Sequence, residues 1–261
     1  MKLQDKVVVI TGASRGIGAA VAKAVVARGA RVGLIARTEG DLQAVLEGIG
    51  GRGATANADV GDCTALAAAI ATLEADLGRI DVLVANAGIG AYGTFADMAA
   101  DEMERLVRVN VLGTMYAIKA VLPGMIARRS GHIVTIGSIA GRIGSPFEAV
   151  YSATKFAGIG LTEAMAVEVE PHGIGVSVVN PGPVATDFGE ARGHPYDRSR
   201  PKPVAADDVA AVVVAAIEHD RRELYVPRWF RPAVVLRHLV PPLFRWGSKR
   251  SFRAELGQLS K

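Results

Sequence analysis

The stretch "KVVVITGASRGIGAAVAKAVVARGARVGLIAR", residues 6–37, reads as a strand, a glycine-rich turn, a helix and a second strand in direct succession. Its two β-branched runs, 6–10 and 31–36, are short and continuously apolar after an opening Lys6 or Arg31, and an Ala-rich helical segment, 17–28, separates them. Continuous apolar strands joined by helices are the pattern of a parallel sheet covered on both faces. The alternation recurs along the chain, with strands expected at 54–58, 81–85, 132–136, 174–179 and 223–226. Helices are expected at 64–77, 98–122, 151–170 and 206–219. Pro171 and Gly173 mark the stop of the 151–170 helix, and Asp207 and Asp208 favour the start of the last one. Right-handed crossovers then give a doubly wound α/β sheet of about seven strands.

Composition suits this fold. The chain has 261 residues, half of them hydrophobic and 21% charged, which describes a globular protein with a full core and excludes a disordered one. The single Cys63 forbids an internal disulfide and is compatible with a reducing compartment. The N-terminus is not of signal-peptide type, and no run of about 18 uninterrupted apolar residues appears, so nothing is expected to span a bilayer. The five histidines are scattered without ligand spacing, so no metal site is expected. Charge is uneven: residues 227–261 carry eight basic residues against Glu255 alone, so a whole-chain +4 conceals −3 on residues 1–226.

The turn "TGASRGIG" (11–18) places Gly12, Gly16 and Gly18 between the first strand and the first helix. Glycines there let the backbone turn sharply and leave room for a pyrophosphate before the free amides of a helix N-terminus, the requirement of a Rossmann dinucleotide site. Folds that bind NAD usually carry a carboxylate at the end of the second strand to hold the ribose 2′-hydroxyl. Here Ala36 and Arg37 stand in that region, no carboxylate comes before Glu39, and Arg15 lies inside the glycine turn. Two guanidinium groups suit a 2′-phosphate, so NADP(H) is favoured over NAD(H). Asp59 follows the third strand, where an adenine edge would lie, and the small residues of "ANAG" (85–88) allow close backbone approach.

"YSATK" (151–155) puts a phenol and an ammonium four positions apart on one helix face. With ordinary pKa values of about 10 and 10.4 they make a poor ion pair, but the ammonium would favour tyrosinate and make the phenol more acidic.

Taken together, the ordered motifs "TGASRGIG", "DV" (59–60), "NAG" (86–88), Asn110 in "RVNVLG", Ser138 in "IGSIAG", "YSATK" and "NPGPVATD" (180–187) resemble the short-chain dehydrogenase/reductase family, in its compact form, from about Lys6 to Val226. Ser138 falls thirteen residues before Tyr151, as in that pattern. The resemblance implies Tyr151 as general acid/base, Lys155 as its activator and ribose anchor, Ser138 as the hydroxyl orienting a carbonyl, and Asn110 as a relay residue. It also implies cofactor contacts from Gly12, Ser14, Arg15, Gly16, Ile17, Gly18, Arg37, Asp59, Val60, Asn86, Ala87, Gly88, Pro181, Gly182, Val184 and Thr186, together with Tyr151 and Lys155. The implied activity is hydride transfer between NADP(H) and an alcohol or ketone, in a cytoplasmic homodimer or homotetramer built on the long helices. A cofactor-sensing regulatory or scaffold protein with little turnover is the alternative. Two departures stand out: Ala85 replaces a common second Asn, and a glycine-rich segment after the last strand is missing.

In its place residues 227–261 form a basic, aromatic tail appended to a domain of residues 1–226. Pro232 is expected to start a short helix there and the Pro241–Pro242 pair to stop it. The tail is open to three readings: a lid over the substrate cleft, a subunit contact, or an element lying on an anionic membrane surface. No nucleic acid is expected as a partner. The polar segment after Thr186, residues 187–203, identifies no ligand, although a hydrophobic alcohol or ketone would suit a tail close to a membrane.

Overall fold

The computed structural model describes residues 1–196 and 201–258; residues 197–200, inside the polar segment after Thr186, and 259–261, at the end of the tail, lie outside the described residues. Seven strands form one sheet: β1 (Val7–Thr11), β2 (Arg31–Ala36), β3 (Gly53–Asn57), β4 (Val82–Ala85), β5 (Gly131–Ile136), β6 (Ile174–Pro181) and β7 (Glu223–Val226). All neighbours are parallel, in the order β3-β2-β1-β4-β5-β6-β7. The expected doubly wound sheet is therefore present.

Alternation along β1 divides the core. Val8 and Ile10 join one apolar cluster with Val21 and Val25 of α1 (Gly16–Val26) and Val213 and Ile217 of α8 (Ala206–His219). Val7 and Val9 join the other, with Leu66 and Leu73 of α3 (Cys63–Leu77) and Val121 and Met125 of α5 (Gly113–Ala127). Each fully buried Val, Leu or Ile contributes about 1.5–3 kcal/mol, so two covered faces supply the sheet's main driving force. The strand order reverses between β1 and β4, which opens a crevice at the carboxyl ends of these strands.

Several boundaries differ from the sequence reading. A helix not anticipated, α2 (Glu39–Gly48), fully buries only Leu42, although Leu42, Val45 and Leu46, with Ile49 just past its end, form a short apolar stripe packed on the core. The helix expected at 98–122 is α4 (Ala100–Val107), a π-helical turn at Arg108–Leu112, and α5, which continues through Pro123 to Ala127. The run Ala100–Ala127, although not an uninterrupted apolar stretch, is long and apolar enough to cross a membrane by length and composition. Leu106, Ala117, Ile118, Val121 and Met125 on it are buried within the fold. The "EPHG" stop is present, with Gly173 in the left-handed region at φ +69° after α6 (Ala149–Val169).

The described part of the tail holds three helices: α9 (Phe230–Leu239), α10 (Pro241–Ser251) and α11 (Arg253–Gln258). α9 begins two residues before Pro232. The Pro241–Pro242 pair ends one helix and also starts the next, because proline is tolerated in a first turn whose amides lack intrahelical partners. Phe230 and Val234 pack with Tyr225 in a small cluster that includes Ile139 and Ile143, anchoring the tail on the β7 edge.

Candidate active site

The glycine turn follows β1, and three of its glycines need conformations or space that side chains would deny. Gly12 (φ +65°) and Gly16 (φ +57°) are left-handed. A Cβ on Gly18 would lie 2.3 Å from the Gly12 carbonyl oxygen and 2.7 Å from Asn86 Nδ2. That crowding has a cause: Asn86 Nδ2 donates to the carbonyls of Thr11 (2.9 Å) and Gly12 (3.0 Å), and the Asn86 and Ala87 amides donate to Thr11 Oγ1. "NAG" thus staples the glycine turn to the end of β4. Arg15 holds the N-cap of α1 in an extended conformation, no side chain caps the first turn, and no acid lies in it. Uncapped amides at the positive end of a helix, beside a turn with no room for Cβ atoms, fit a dinucleotide pyrophosphate. Ser14 and Ile17 lie half-buried in this turn.

Further along the crevice, Val60 is buried against Gly113, while Asp59 is exposed and accepts from the Gly61 amide at 2.8 Å. Arg15 and Arg37 are both exposed; Arg15 reaches Asp187 at 4.0 Å, and Arg37 has no ion-pair partner among the described residues. The Glu39 carboxylate accepts from Thr55 and Gln43. The nearest acid after β2 is therefore already engaged.

Tyr151 and Lys155 are buried on α6. Lys155 Nζ donates to the Ile136 carbonyl at 3.0 Å and lies 5.8 Å from the centroid of the Tyr151 ring. Burial, then the Glu148 carboxylate, pushes the Tyr151 phenol above its ordinary pKa, outweighing a hydrogen bond from Ser138 and the charge of Arg192. Burial lowers Lys155 to about 8. The expectation that the ammonium makes the phenol acidic is thus reversed among the protein's own groups. Desolvation disfavours the charged form of both, and the ammonium is bonded to a carbonyl.

Ser138 caps a short 3₁₀ turn (Ile139–Gly141), its Oγ accepting from Ala140 N at 3.1 Å, and it meets Tyr151 as the thirteen-residue spacing anticipates. Asn110 lies in the π turn, where an extra backbone residue swings its side chain inward. Its Oδ1 accepts from Ile89 N (2.8 Å), and its Nδ2 donates to Ile89 O (2.9 Å) and Thr154 Oγ1 (3.0 Å). A Cβ on Gly88 would come to 3.4 Å from both Asn110 Oδ1 and Lys155 Nζ, which puts the three residues together.

"NPGPVATD" leaves β6 at the buried Pro181. Val184 bridges to Val204, and Thr186 stands over Gly16, closing the loop back onto the glycine turn. Gly182 packs so tightly under Phe230 of the tail that a Cβ would lie 2.3 Å from the ring.

Other contacts lie beyond what the motifs announced. Phe188, in the short helix α7 (Phe188–Ala191), tilts over Tyr151 with ring centroids 5.7 Å apart. Glu148 and Arg192 form a largely buried ion pair, and Arg192 lies 5.2 Å from the Tyr92 ring centroid. Tyr92 stacks on His194 and Phe147, and Phe147 meets Phe252 of the tail at 6.4 Å. These partners are far apart in sequence and follow no fixed spacing, so only Thr154, inside "YSATK" itself, carried a local signal.

Residues 6–197 match the short chain dehydrogenase family. A 3-oxoacyl-(acyl-carrier-protein) reductase, FabG, of Vibrio harveyi is 38% identical over 191 residues, covering 73% of this chain and 78% of the relative. Among solved structures, an alcohol dehydrogenase of Thermococcus sibiricus complexed with 5-hydroxy-NADP superposes with a TM-score of 0.77 at 28% identity, over 85% of this chain and 96% of that one. A short chain dehydrogenase/reductase of Burkholderia phymatum in complex with NAD superposes with a TM-score of 0.84 at 26% identity, over 93% and 96%.

Proposed function

The chain belongs to the short-chain dehydrogenase family, oxidoreductases of alcohol and carbonyl groups, and from that premise we propose that it reduces a hydrophobic ketone or aldehyde with NADPH. The observation that carries this reading is the convergence of Ser138, Tyr151 and Lys155 at the carboxyl ends of the strands that also bear the glycine turn.

In this reading the nicotinamide cofactor, when bound, supplies the hydride. The glycine turn and the first amides of α1 hold its pyrophosphate, and Asn86 keeps that turn rigid. Ser138 and the Tyr151 hydroxyl hold the carbonyl oxygen. Tyr151 then gives its proton to the oxygen as negative charge develops there. A phenol kept protonated by burial is the right resting form for that direction. Lys155 fixes the helix face through Ile136 and anchors the ribose; Asn110 holds the β4 loop to α6 and completes the relay. Phe188, Phe147 and Tyr92 give the cleft an apolar wall, which supports a hydrophobic substrate.

NADPH is preferred in this reading because Arg15 and Arg37 are exposed beside the crevice, while Glu39 is turned to Thr55 and Gln43. Residues 1–226 form the catalytic domain and 227–261 an appendage. A homodimer or homotetramer forms through the α4–α5 and α6 faces, where Val107, Met115 and Val167 are exposed apolar residues. The free, exposed Cys63 suits the cytoplasm.

The test is NADPH oxidation by the purified chain against a panel of ketones and aldehydes, with NADH as control. Tyr151→Phe is expected to lower turnover by about 10²–10⁴-fold while NADPH still binds. Unchanged turnover in that variant overturns the reading.

A further inference from the structure

The tail presents the largest concentration of unburied apolar surface in the fold. Seven of the eleven large hydrophobics exposed among the described residues lie between Trp229 and Trp246, with Leu239 at 75% and Trp246 at 61% exposure. Leu236 and Leu239 lie three positions apart in α9, and Leu243 and Trp246 three apart in α10, on either side of the non-helical Val240. Exposed cations accompany them: Arg228, Arg231, Arg245, Lys249, Arg250 and Arg253. So many exposed apolar side chains in one short segment, interspersed with cations, mark a docking face.

Charge decides what docks. Two copies meeting through this face about a two-fold axis would set one +7 segment against another, at a cost in repulsion. An anionic surface has the opposite sign, and the mixture of tryptophan, leucine and arginine is that of helices lying in a membrane interface. A cleft of about 570 Å³ beside this face is lined by Gly144, Arg237, His238, Arg245 and Lys249, among others, and suits an acidic headgroup.

We propose that α9 and α10 dock the protein on the surface of an anionic lipid bilayer, through exposed tryptophan and leucine side chains flanked by arginine and lysine. The attachment faces the substrate side of the cleft. Phe230 covers Gly182, Arg237 donates to the Arg142 carbonyl a few residues beyond Ser138, and Phe252 lies against Phe147. Docking would therefore bring the mouth of the crevice to the lipid, where a hydrophobic carbonyl compound partitions. This last consequence rests on the proposed function, but the docking itself does not.

The chain's two tryptophans, Trp229 and Trp246, both lie in the tail, so tryptophan fluorescence, excited selectively over tyrosine, reports on this segment alone. The full chain is mixed with phosphatidylcholine vesicles with and without 30% phosphatidylserine, and binding is read by flotation and by the tryptophan emission maximum. Anionic vesicles are expected to float the protein and blue-shift its emission, and half-molar salt to weaken both, since the Debye length falls well below 10 Å. The triple variant Arg245→Gln, Lys249→Gln, Arg250→Gln is expected to bind about 100-fold more weakly at an unchanged melting temperature, with Trp246→Ala as an independent second variant. No flotation with anionic vesicles, or equal binding to the neutral ones, overturns the proposal. So does a concentration-dependent dimer that Trp246→Ala dissolves, because the face would then be a subunit contact. None of these outcomes depends on turnover, so failure here leaves the oxidoreductase reading to its own assay.

Discussion

Replacing Gly18 by alanine tests the glycine turn as a packed cradle. The added methyl would lie 2.3 Å from the Gly12 carbonyl oxygen, well inside contact distance, and 2.7 Å from Asn86 Nδ2. Neither neighbour yields easily. The carbonyl accepts one of the two hydrogen bonds by which Asn86 holds the turn, and the other goes to Thr11. Overpacking costs about 1–3 kcal/mol, and a strained hydrogen bond about 1 kcal/mol more, giving a total of about 3 kcal/mol. In a domain of this size that lowers Tm by about 6–12 °C. If the strain stays within the turn, the same energy instead weakens dinucleotide binding by about 100-fold. Thermal denaturation and a fluorescence titration with NADPH distinguish the two outcomes. Gly40→Ala serves as control: Gly40 lies in α2 with nothing within 4 Å of its Cβ position, so alanine there should be neutral or slightly stabilising. A Gly18→Ala protein that melts and binds like the parent would refute the account of the turn.

Other outcomes are equally definite. The double substitution Arg15→Ala, Arg37→Ala should weaken NADPH by about 100-fold and leave NADH unchanged, at about 1.5 kcal/mol per charged hydrogen bond lost; titration with both cofactors reads it. Burial holds His132 at about 4, with Nε2 at 2.8 Å from Ser177 Oγ. As pH falls from 6.5 the unfolded chain takes up this proton first, so stability is complete above 6.5 and declines toward pH 4 by about 3 kcal/mol. His132→Gln should flatten the Tm–pH curve over that window, and an unaltered slope would remove His132 as its cause.

The sheet was legible because its signals are local. Runs such as 32–36 and 82–85 are apolar on both faces, and only a strand covered from both sides has use for that pattern. The glycine turn was legible for a related reason, since each glycine answers a constraint on its own backbone or on a neighbour a few residues away. Tyr151 and Lys155 stood out because helix periodicity sets them on one face, whereas Ser138 was singled out only by the resemblance to the short-chain dehydrogenase/reductase pattern. α2 was legible in the helical spacing of Leu42, Val45, Leu46 and Ile49, a stripe short enough to escape notice because only Leu42 is fully buried. The tail's second helix was missed because a proline pair stops one helix and starts another with the same residues.

Sequence alone determined the sheet and the position of the glycine turn, which rest on residues near one another along the chain, and the family, which rests on the order and spacing of short motifs. Tertiary structure alone decided the state of Tyr151. The lysine four positions away argued for an acidic phenol, but burial among Ser138, Glu148, Phe188 and Arg192 drives its pKa upward. Desolvation depends on everything that surrounds a group, and those surroundings come from distant segments that no local spacing records. The tail divides in the same way: its charge and aromatic content are written in the sequence, whereas which side chains face solvent, and which cleft they border, followed only from how α9 and α10 pack on the β7 edge.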